Sequence, residues 1–466
     1  MAESFDVIVI GAGATGTNAA WYARSHGLNC AVVEDRLVGG ECSYWACIPS
    51  KALLAPSAAV ATARRMPGAA SAVSGEIDVG AVLARRDAWI TELDDAKQVA
   101  WLQDLDVELV RGRGRLVGTR TVDVATADGG TRRLVAARAV VVATGSRPAV
   151  PPVEGLRDMR VWDSRDATTA QRVPPRLLVL GGGAVGCELA QAFRRLGAAA
   201  VTIIQRAPRL LDSFEPWVGE LLAEALRAEG IRVRTGCTAV RASRDGASGP
   251  VTLSLDDGGE LAGDELLIAV GRAPNTDDIG LEAVGIEPGG PLAVDDRLRV
   301  LGVDGDWLYA AGDVNGRALL THQGKYQARL LGDIIAGRDT EAWADHRAVP
   351  QVIFTDPEIA MVGATERRAR QAGHDVRVAS CDIGAVAGSA LSGGDGLTGR
   401  AQLVIDSTRN TILGATFVGP HVGEVLHAAT VAVVGQVPLD LLWHAVPSFP
   451  TVSELWLRLL EADRGV

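Results

Sequence analysis

The chain has 466 residues, of which 47% are hydrophobic and 22% charged, a composition typical of a soluble globular protein with a sizeable core and about three domains. Its formal net charge of -11 argues against nucleic acid and anionic membranes as partners. No signal peptide is visible, and no stretch approaches the roughly 20 apolar residues that a membrane span needs, so we expect a cytoplasmic protein.

The chain opens with a pattern that returns 170 residues later. Residues 7–16 read VIVIGAGATG and residues 177–186 read LLVLGGGAVG, each a strand, a glycine turn and a helix start. Each is followed by a helical stretch and a second β-rich run, at 30–34 and 200–205. Two such βαβ units predict two doubly wound nucleotide-binding domains.

The glycine positions explain what these turns bind. In GxGxxG the first glycine allows a tight turn, the second admits a pyrophosphate, and the third lets the helix approach the strand. The helix start then offers unpaired N–H groups to the phosphates. Glu34, 18 residues after the first motif, is suited to hold ribose hydroxyls. One such motif alone is also compatible with a purely structural turn, but two are much less so. The glycines are Gly11, Gly13 and Gly16 in the first motif and Gly181, Gly183 and Gly186 in the second.

The second motif differs from the first at its ribose position. Gln205 stands where a carboxylate would be, and Arg206 follows it. A carboxylate repels a 2′-phosphate, whereas a guanidinium pairs with it. We therefore expect NADPH, with NADH possible; the alternative is that Arg206 is a solvated arginine at a strand end.

Among six cysteines, only Cys42 and Cys47 are close in sequence, and no spacing predicts a metal site. A helix rises about 1.5 Å per residue, which separates positions five apart too far for a disulfide. The pair can bridge only if Cys42 lies in an irregular turn before a helix that starts near Cys47, with Pro49 in its first turn. A thiolate at that helix start has a lowered pKa. The alternative is two buried structural cysteines.

Residues 39–54, GGECSYWACIPSKALL, resemble the GGxCxxxxCIPSKAL signature of the class I pyridine nucleotide–disulfide oxidoreductases, such as dihydrolipoamide dehydrogenase, glutathione reductase and mercuric reductase. Further matches are VATGSRP at 142–148, AVGRAPN at 269–275, AAGDV at 310–314 and FTDPEIA at 354–360. The resemblance implies an α/β fold with two doubly wound Rossmann-like nucleotide-binding domains plus an α+β C-terminal dimerisation domain, and a homodimer. The implied ranges are 1–150 for the first part of the FAD-binding domain, 151–270 for NAD(P), 271–345 for the second part of the FAD-binding domain and 346–466 for dimerisation.

The same resemblance implies roles for individual residues. Cys47 is the thiol that faces the flavin, and Cys42 exchanges with the substrate. Lys51 lies near the flavin and pairs with Glu188, although a solvated helix lysine is an alternative. Asp313 holds the ribityl or phosphate region of FAD, unless it only shapes a turn at a strand end. Further cofactor contacts are implied at Gly40, Glu41, Gly114, Thr144, Gly145, Val185, Gly271, Arg272, Leu320 and Thr321.

The chain departs from this family near its end. Disulfide-reducing members carry His-Pro-Thr-x-x-Glu, with the histidine as acid–base for the thiols. Here residues 449–454 read FPTVSE, so Phe449 occupies the histidine position, and Glu454 is a catalytic candidate, a remnant or an interface residue. We interpret His444 as a helix-end histidine. No cysteine after Cys381 matches the C-terminal pair of mercuric reductases.

Lipoamide, glutathione disulfide and mercuric ion are therefore less expected than an acceptor that needs no histidine, such as a quinone, oxygen or a disulfide with a good leaving group. The first hypothesis is an NAD(P)H-linked FAD disulfide oxidoreductase, in which the reduced flavin opens the disulfide and the dithiol reduces a small-molecule acceptor. The second is an NAD(P)H:quinone or acceptor reductase (diaphorase) with secondary cysteines. The third is a nucleotide-binding redox sensor, which the intact glycine, cysteine, lysine and glutamate positions argue against.

Overall fold

The computed structural model describes residues 2–246 and 249–466. Its strands are β1 (Glu3–Ile10), β2 (Cys30–Glu34), β3 (Glu108–Arg111), β4 (Arg113–Gly118), β5 (Thr121–Ala125), β6 (Thr131–Val142), β7 (Ser146–Pro148), β8 (Arg176–Leu180), β9 (Ala200–Gln205), β10 (Ile231–Thr235), β11 (Ala239–Arg244), β12 (Val251–Leu255), β13 (Glu260–Gly263), β14 (Glu265–Ile268), β15 (Arg272–Pro274), β16 (Leu308–Ala310), β17 (Pro350–Ile353), β18 (Glu358–Gly363), β19 (Val376–Asp382), β20 (Arg400–Asp406) and β21 (Thr411–Gly419). Its α-helices are α1 (Ala14–Ser25), α2 (Gly40–Tyr44), α3 (Cys47–Arg65), α4 (Val79–Trp89), α5 (Ala96–Asp104), α6 (Ser164–Thr169), α7 (Ala184–Arg195), α8 (Pro216–Ala228), α9 (Thr321–Ile335), α10 (Glu366–Gln371), α11 (Ala387–Gly393), α12 (Val422–Val434), α13 (Leu439–Leu442) and α14 (Leu455–Arg464).

The chain divides into two compact units. The first comprises Met1–Pro49, Arg86–Ala149 and Arg272–Asp345, and the second comprises Ser50–Arg85, Val150–Gly271 and His346–Val466. The second unit thus takes in residues 50–85, which the sequence ranges assigned to the FAD-binding part. The ranges themselves remain a prediction.

The first unit is built on a sheet whose parallel strands run β3-β2-β1-β6, with β16 also parallel to β6. This is the strand order of a doubly wound nucleotide-binding fold. Residues 7–10 of β1 are at most 3% exposed, because apolar layers cover both faces of the sheet. Helices α1 and α9 pack against each other through glycine: a Cβ on Gly332 would lie 2.6 Å from Tyr22 Cβ.

The second unit repeats the pattern and adds antiparallel sheets. Its parallel strands run β10-β9-β8-β14, again the doubly wound order, and β11-β12-β13 form a separate antiparallel sheet. The chain after residue 345 forms a five-stranded antiparallel sheet, β17-β18-β21-β20-β19, whose core includes residues of α12 and α14. The predicted fold class, two doubly wound domains plus an α+β C-terminal domain, is confirmed.

One helical stretch passes a length-and-composition test for membrane spans, a test that the core helix of a soluble protein also passes. An 18-residue window within residues 40–65 has a mean hydropathy of 1.2, and 33% of it is buried. Two observations favour a core helix instead. The stretch is broken between α2 and α3, and Leu53 and Leu54 of α3 pack in a core cluster with Leu83 of α4 and Leu196 beyond α7. Its apolar character therefore reflects packing inside the protein.

We predict that Phe193→Ala lowers the free energy of unfolding by about 3–5 kcal/mol, since a large buried ring leaves a cavity. Phe193 is 1% exposed and its ring lies 5.6 Å from that of Trp162 in the core of the second unit. Urea unfolding followed by circular dichroism measures the change. The control is Val240→Ala, at a side chain 47% exposed, which should change stability by less than about 0.5 kcal/mol. Equal effects of the two substitutions would contradict this packing.

Candidate active site

Both glycine motifs form close contacts that only glycine permits. Gly11 has φ +103°, and a Cβ there would lie 2.5 Å from the carbonyl oxygen of Ala143. A Cβ on Gly16 would lie 1.8 Å from the Gly11 carbonyl oxygen. In the second motif, Gly181 has φ +114°, and a Cβ on Gly186 would lie 2.0 Å from its carbonyl oxygen. Each helix therefore starts directly against its strand.

The starts of α1 and α7 suit a pyrophosphate. Their N-caps are Gly13 and Gly183, no side chain caps either helix, and neither first turn contains an acidic residue. Such a helix start presents N–H groups and a positive dipole end to an anion. A Cβ on Gly40 would lie 2.7 Å from the Cα of Gly13, so only glycine at position 40 leaves room beside the start of α1. Val185, in the first turn of α7, is 41% exposed.

The ribose positions of the two motifs share one hydrogen-bonding arrangement. The Oε2 atom of Glu34 accepts from the backbone N–H of Ala12 (2.7 Å), and its Oε1 accepts from that of Arg36 (2.8 Å). Burial raises the pKa of Glu34, and these two N–H groups oppose that rise. In the second motif, Gln205 Oε1 accepts from the N–H of Gly182 (3.0 Å). The Glu34 carboxylate and the Gln205 amide are thus fixed beside the two glycine turns. Arg206, which follows Gln205, is exposed.

The Cys42 and Cys47 side chains can interact because the chain breaks its helix between them. Cys42 lies in the short helix α2 and not in an irregular turn, which corrects the prediction. Trp45 leaves helical geometry with φ -133° and ψ -4°, and α3 begins at Cys47, as the spacing predicts. The Cys42 thiol hydrogen-bonds to Cys47. A continuous helix would hold these positions apart.

The cysteine pair lies at two helix starts. Cys47 begins α3, and its Sγ lies 3.3 Å from the Oγ1 of Thr321, the first residue of α9. Both helix ends favour negative charge on sulfur. The hydrogen bond to Cys47 and burial raise the pKa of the Cys42 thiol, while Thr321 and Lys325 act to lower it. Ionisation of one thiol therefore affects the other, because the two side chains interact directly.

The expected ion pair between Lys51 and Glu188 is present. Lys51 Nζ lies 2.6 Å from Glu188 Oε2, and Glu188 is only 4% exposed. The other carboxylate oxygen accepts from the backbone N–H of Phe354 (2.9 Å), whose ring centroid lies 4.8 Å from the Lys51 ammonium. Lys51 follows Cys47 by four residues in α3, which places both on one face of that helix.

A second polar cluster surrounds Asp313. The hydroxyl of Ser146 donates to Asp313 and accepts from Arg272 Nε (2.6 Å), and the guanidinium reaches Glu41 Oε2 (3.2 Å). Burial raises the pKa of Asp313, an effect that Ser146 and Arg272 oppose. The sequence motif contained Ser146, but its place between Asp313 and Arg272 was missed. The contact is between β7 and the turn after β16, which sequence spacing does not reveal.

The remaining cofactor candidates are positioned mainly by backbone. Thr144 Oγ1 donates to the carbonyl of Asn275 (2.8 Å), whose own N–H donates to the carbonyl of Gly145 (3.0 Å). Gly114 is buried in β4, where a Cβ would lie 3.0 Å from Val33 Cγ1, so packing alone requires glycine there. Gly271 has φ +135° and Leu320 is the N-cap of α9.

Within residues 2–246 and 249–466, neither C-terminal candidate has a histidine partner. Phe449 is 75% exposed. Glu454 is 5% exposed and pairs through Oε1 with Arg458 (2.7 Å), four residues later. Its Oε2 has no hydrogen-bond partner in the described part of the chain. His444 is exposed and lies two residues after α13. Glu454 therefore binds an arginine where the expected frame would orient a histidine.

Comparison with known proteins assigns both parts of the chain. Residues 5–328 match the family model "Pyridine nucleotide-disulphide oxidoreductase", and residues 349–459 match its dimerisation domain. A dihydrolipoyl dehydrogenase of Thermus scotoductus is 36% identical over 467 residues, covering 99% of this chain and 97% of that protein. A mercuric reductase of Lysinibacillus sphaericus is 30% identical over 470 residues, covering 100% of this chain and 84% of that protein.

Solved structures show the same fold. The crystal structure of LpdA from Mycobacterium tuberculosis has a TM-score of 0.86 and 26% identity, covering 99% of each chain. A Cu(II) complex of RclA, an HOCl-induced flavoprotein disulfide reductase from Escherichia coli, has a TM-score of 0.85 at 24% identity over 99% of each chain.

We predict that Glu188→Ala lowers the free energy of unfolding by about 1–3 kcal/mol, because the partly buried Phe354 N–H loses its acceptor. Glu188→Gln keeps an oxygen at that position and should cost less than half as much, although both variants lose the ion pair with Lys51. Urea unfolding of the two variants measures the difference. If the glutamine variant is as unstable as the alanine variant, the carboxylate charge and not the Phe354 contact holds this site together.

Proposed function

The chain belongs to the pyridine nucleotide–disulphide oxidoreductase family, and we propose that it carries electrons from NADPH to the Cys42–Cys47 pair and on to a small disulfide. The helix break between Cys42 and Cys47 is the observation that carries this proposal, since it lets two side chains five residues apart interact, as a disulfide requires. Proteins of this family bind FAD and use NAD(P)H. FAD, when bound, accepts a hydride from the nicotinamide and passes two electrons to the disulfide.

The residues of the first unit fit FAD. The uncapped start of α1 receives the pyrophosphate, and Glu34, already fixed by two N–H groups, accepts from ribose hydroxyls. Asp313, held by Ser146, binds the ribityl or phosphate region. In the second unit, the start of α7 and Gln205 receive the pyridine nucleotide. Lys51, paired with Glu188, brings a cation one helical turn after Cys47.

The C-terminal part supports a homodimer. Residues 349–459 match the dimerisation domain of the family. Apolar side chains near the end are exposed in the single chain, among them Leu441 (62%), Val446 (87%) and Phe449 (75%), and a partner chain would cover them. We propose the cytoplasm as the location, because six cysteines in 466 residues are too few for the dense disulfide framework of secreted domains.

We propose the acceptor from the side chains of the site. The substrates of the named relatives are not assigned to this chain. Phe449 cannot carry a proton, which removes the acid–base that lipoamide-type exchange uses. Cys42 is partly exposed and can meet a small disulfide. A quinone is the alternative acceptor, because it can take electrons from the flavin without thiol exchange.

We predict that anaerobic titration with NADPH yields a two-electron state with long-wavelength absorbance, which arises from a Cys47 thiolate beside oxidised flavin. Cys47→Ser should abolish this absorbance. Cys42→Ser should leave the Cys47 thiolate but lose disulfide reduction, because no disulfide can form. Absorbance spectra recorded at each addition of NADPH measure the outcome.

Cys381→Ser is the matched control for that titration, because Cys381 is a partly buried thiol outside the motif, with Sγ 4.0 Å from the Leu455 carbonyl. It should behave as wild type. Immediate flavin bleaching, with quinone turnover that survives Cys42→Ser, would favour the quinone reductase. No flavin reduction by either nucleotide would favour a redox sensor.

We predict a higher kcat/KM with NADPH than with NADH, and a loss of about tenfold or more for NADPH alone in Arg206→Ala, because a charge-assisted hydrogen bond to the 2′-phosphate contributes roughly 1.5–3 kcal/mol. Steady-state kinetics with both nucleotides measure it. Arg232→Ala, at another exposed arginine on the neighbouring strand β10, should change neither value. Equal kcat/KM for the two nucleotides in wild type would refute the preference.

A further inference from the structure

Lysine is rare in this chain, and two of its lysines lie close in structure or sequence to the cysteines. Of 46 Lys and Arg residues, three are lysines: Lys51, Lys97 and Lys325. Lys51 follows Cys47 by one turn of α3, and Lys325 lies in α9. Arginine stays charged at any physiological pH, whereas an ammonium can release its proton. Lysine at these positions thus offers a transferable proton that arginine does not.

Lys325 lies in the same helix as Thr321, which contacts Cys47. Thr321, the first residue of α9, lies 3.3 Å from the Cys47 sulfur and also hydrogen-bonds to Cys42. Lys325 follows it by four residues and therefore lies on the same face of the helix. Its exposed ammonium acts to lower the pKa of Cys42, less strongly than Thr321 does. His322 is rotated by about 100° from Thr321 on the same helix.

The reduced pair poses a proton problem. The hydrogen bond to Cys47 and burial raise the pKa of the Cys42 thiol, but Cys42 must be a thiolate to attack a substrate. The thiolate that leaves the substrate needs a proton in turn. Phe449 can serve neither step. A group that takes one proton and gives another is required beside Cys42.

Resting on the proposed function, we propose that Lys325 is this group, the proton donor to the leaving thiolate of a disulfide substrate. The Cys42 proton first passes to Cys47, and the Cys42 thiolate attacks one substrate sulfur; the new Cys42–S bond forms, the substrate S–S bond breaks, and the substrate thiolate leaves with the electron pair. This thiolate takes a proton from the Lys325 ammonium, and the neutral amine then takes the proton from Cys47, which becomes the second nucleophile.

Cys47 thiolate then attacks the Cys42 sulfur and expels the second thiolate, which takes a proton from Lys325; the amine is reprotonated by water. The substrate gains two electrons and two protons, and the cysteine pair returns to a disulfide. A general acid matters most when the leaving thiol is basic. Lys325 should therefore accelerate the reduction of alkyl disulfides more than that of aryl disulfides, whose thiolates leave without protonation.

The test is a stopped-flow measurement in which enzyme reduced by NADPH is mixed with bis(2-hydroxyethyl) disulfide or with the aryl disulfide DTNB. Lys325→Met should slow the reaction with the alkyl disulfide about 100-fold and that with DTNB less than about threefold, since its thiol is a good leaving group. Lys325→Arg, which keeps the charge but not the transferable proton, should be as slow as the methionine variant. Full rescue by arginine would overturn the proposal in favour of charge alone.

Control variants separate this proposal from the proposed function. Lys97→Met, at an exposed lysine of α5, and His322→Gln should react as wild type; a selective loss with alkyl disulfide in His322→Gln would assign the role to histidine and overturn the proposal. Reduction by NADPH should be unchanged in every lysine variant. If wild type fails to form the dithiol, the proposed function fails, and Lys325 is not the cause.

A second readout does not depend on turnover. Iodoacetamide alkylation of Cys42 in the reduced holoenzyme, followed by mass spectrometry across pH, reports its thiolate fraction. Lys325→Met should move this profile to higher pH by about one unit, because the thiolate loses a neighbouring cation. An unchanged profile in this variant would mean that Lys325 does not act on Cys42 and would overturn the proposal.

Discussion

The interaction between the Cys42 and Cys47 side chains depends on a break in the helix that would otherwise carry both residues. Five residues of continuous helix span about 7.5 Å along the axis, which no disulfide bridges. The chain ends α2 at Trp45 and restarts a helix at Cys47, so the second cysteine stands at a fresh helix start. The same break therefore lets the two side chains interact and gives one of them the positive end of a helix dipole.

A repeated unit serves two nucleotides because its backbone is fixed and one side chain is free to vary. In both motifs, close packing of glycine against a strand carbonyl fixes where the helix begins. In both, the side chain at the end of the second strand accepts from an N–H within the glycine turn. That contact tolerates either Glu34 or Gln205, since each has an oxygen to offer. The charge difference between Glu34 and Gln205 can therefore distinguish the ribose groups that bind at the two glycine turns.

Sequence predicts this structure well where interactions between neighbouring residues determine it. Periodic apolar strands and glycine turns predict both doubly wound sheets and the helix start at Cys47, because backbone sterics act over a few residues. Contacts between distant segments are different: Ser146 bridges Asp313 and Arg272 across more than 120 residues, and spacing does not encode that. Cys42 was assigned to an irregular turn, because one short helical turn is too brief for periodicity to reveal. Lys325 went unnoticed, although its rarity in the composition was a usable signal.

Phenylalanine at position 449, where the sequence resemblance predicts a histidine, limits where a proton can reside. A partly buried thiol that interacts with a second thiol holds its proton more tightly than an isolated thiol, because ionising both would place two negative sulfurs close together. Removing that proton requires either a base or a cation that lowers the cost of the second negative charge. Among the described residues that act to lower the pKa of Cys42, Thr321 supplies only a hydroxyl, and Lys325 supplies both a charge and a transferable proton. A chain with phenylalanine at position 449 thus has, on α9, a side chain whose chemistry meets the same demand.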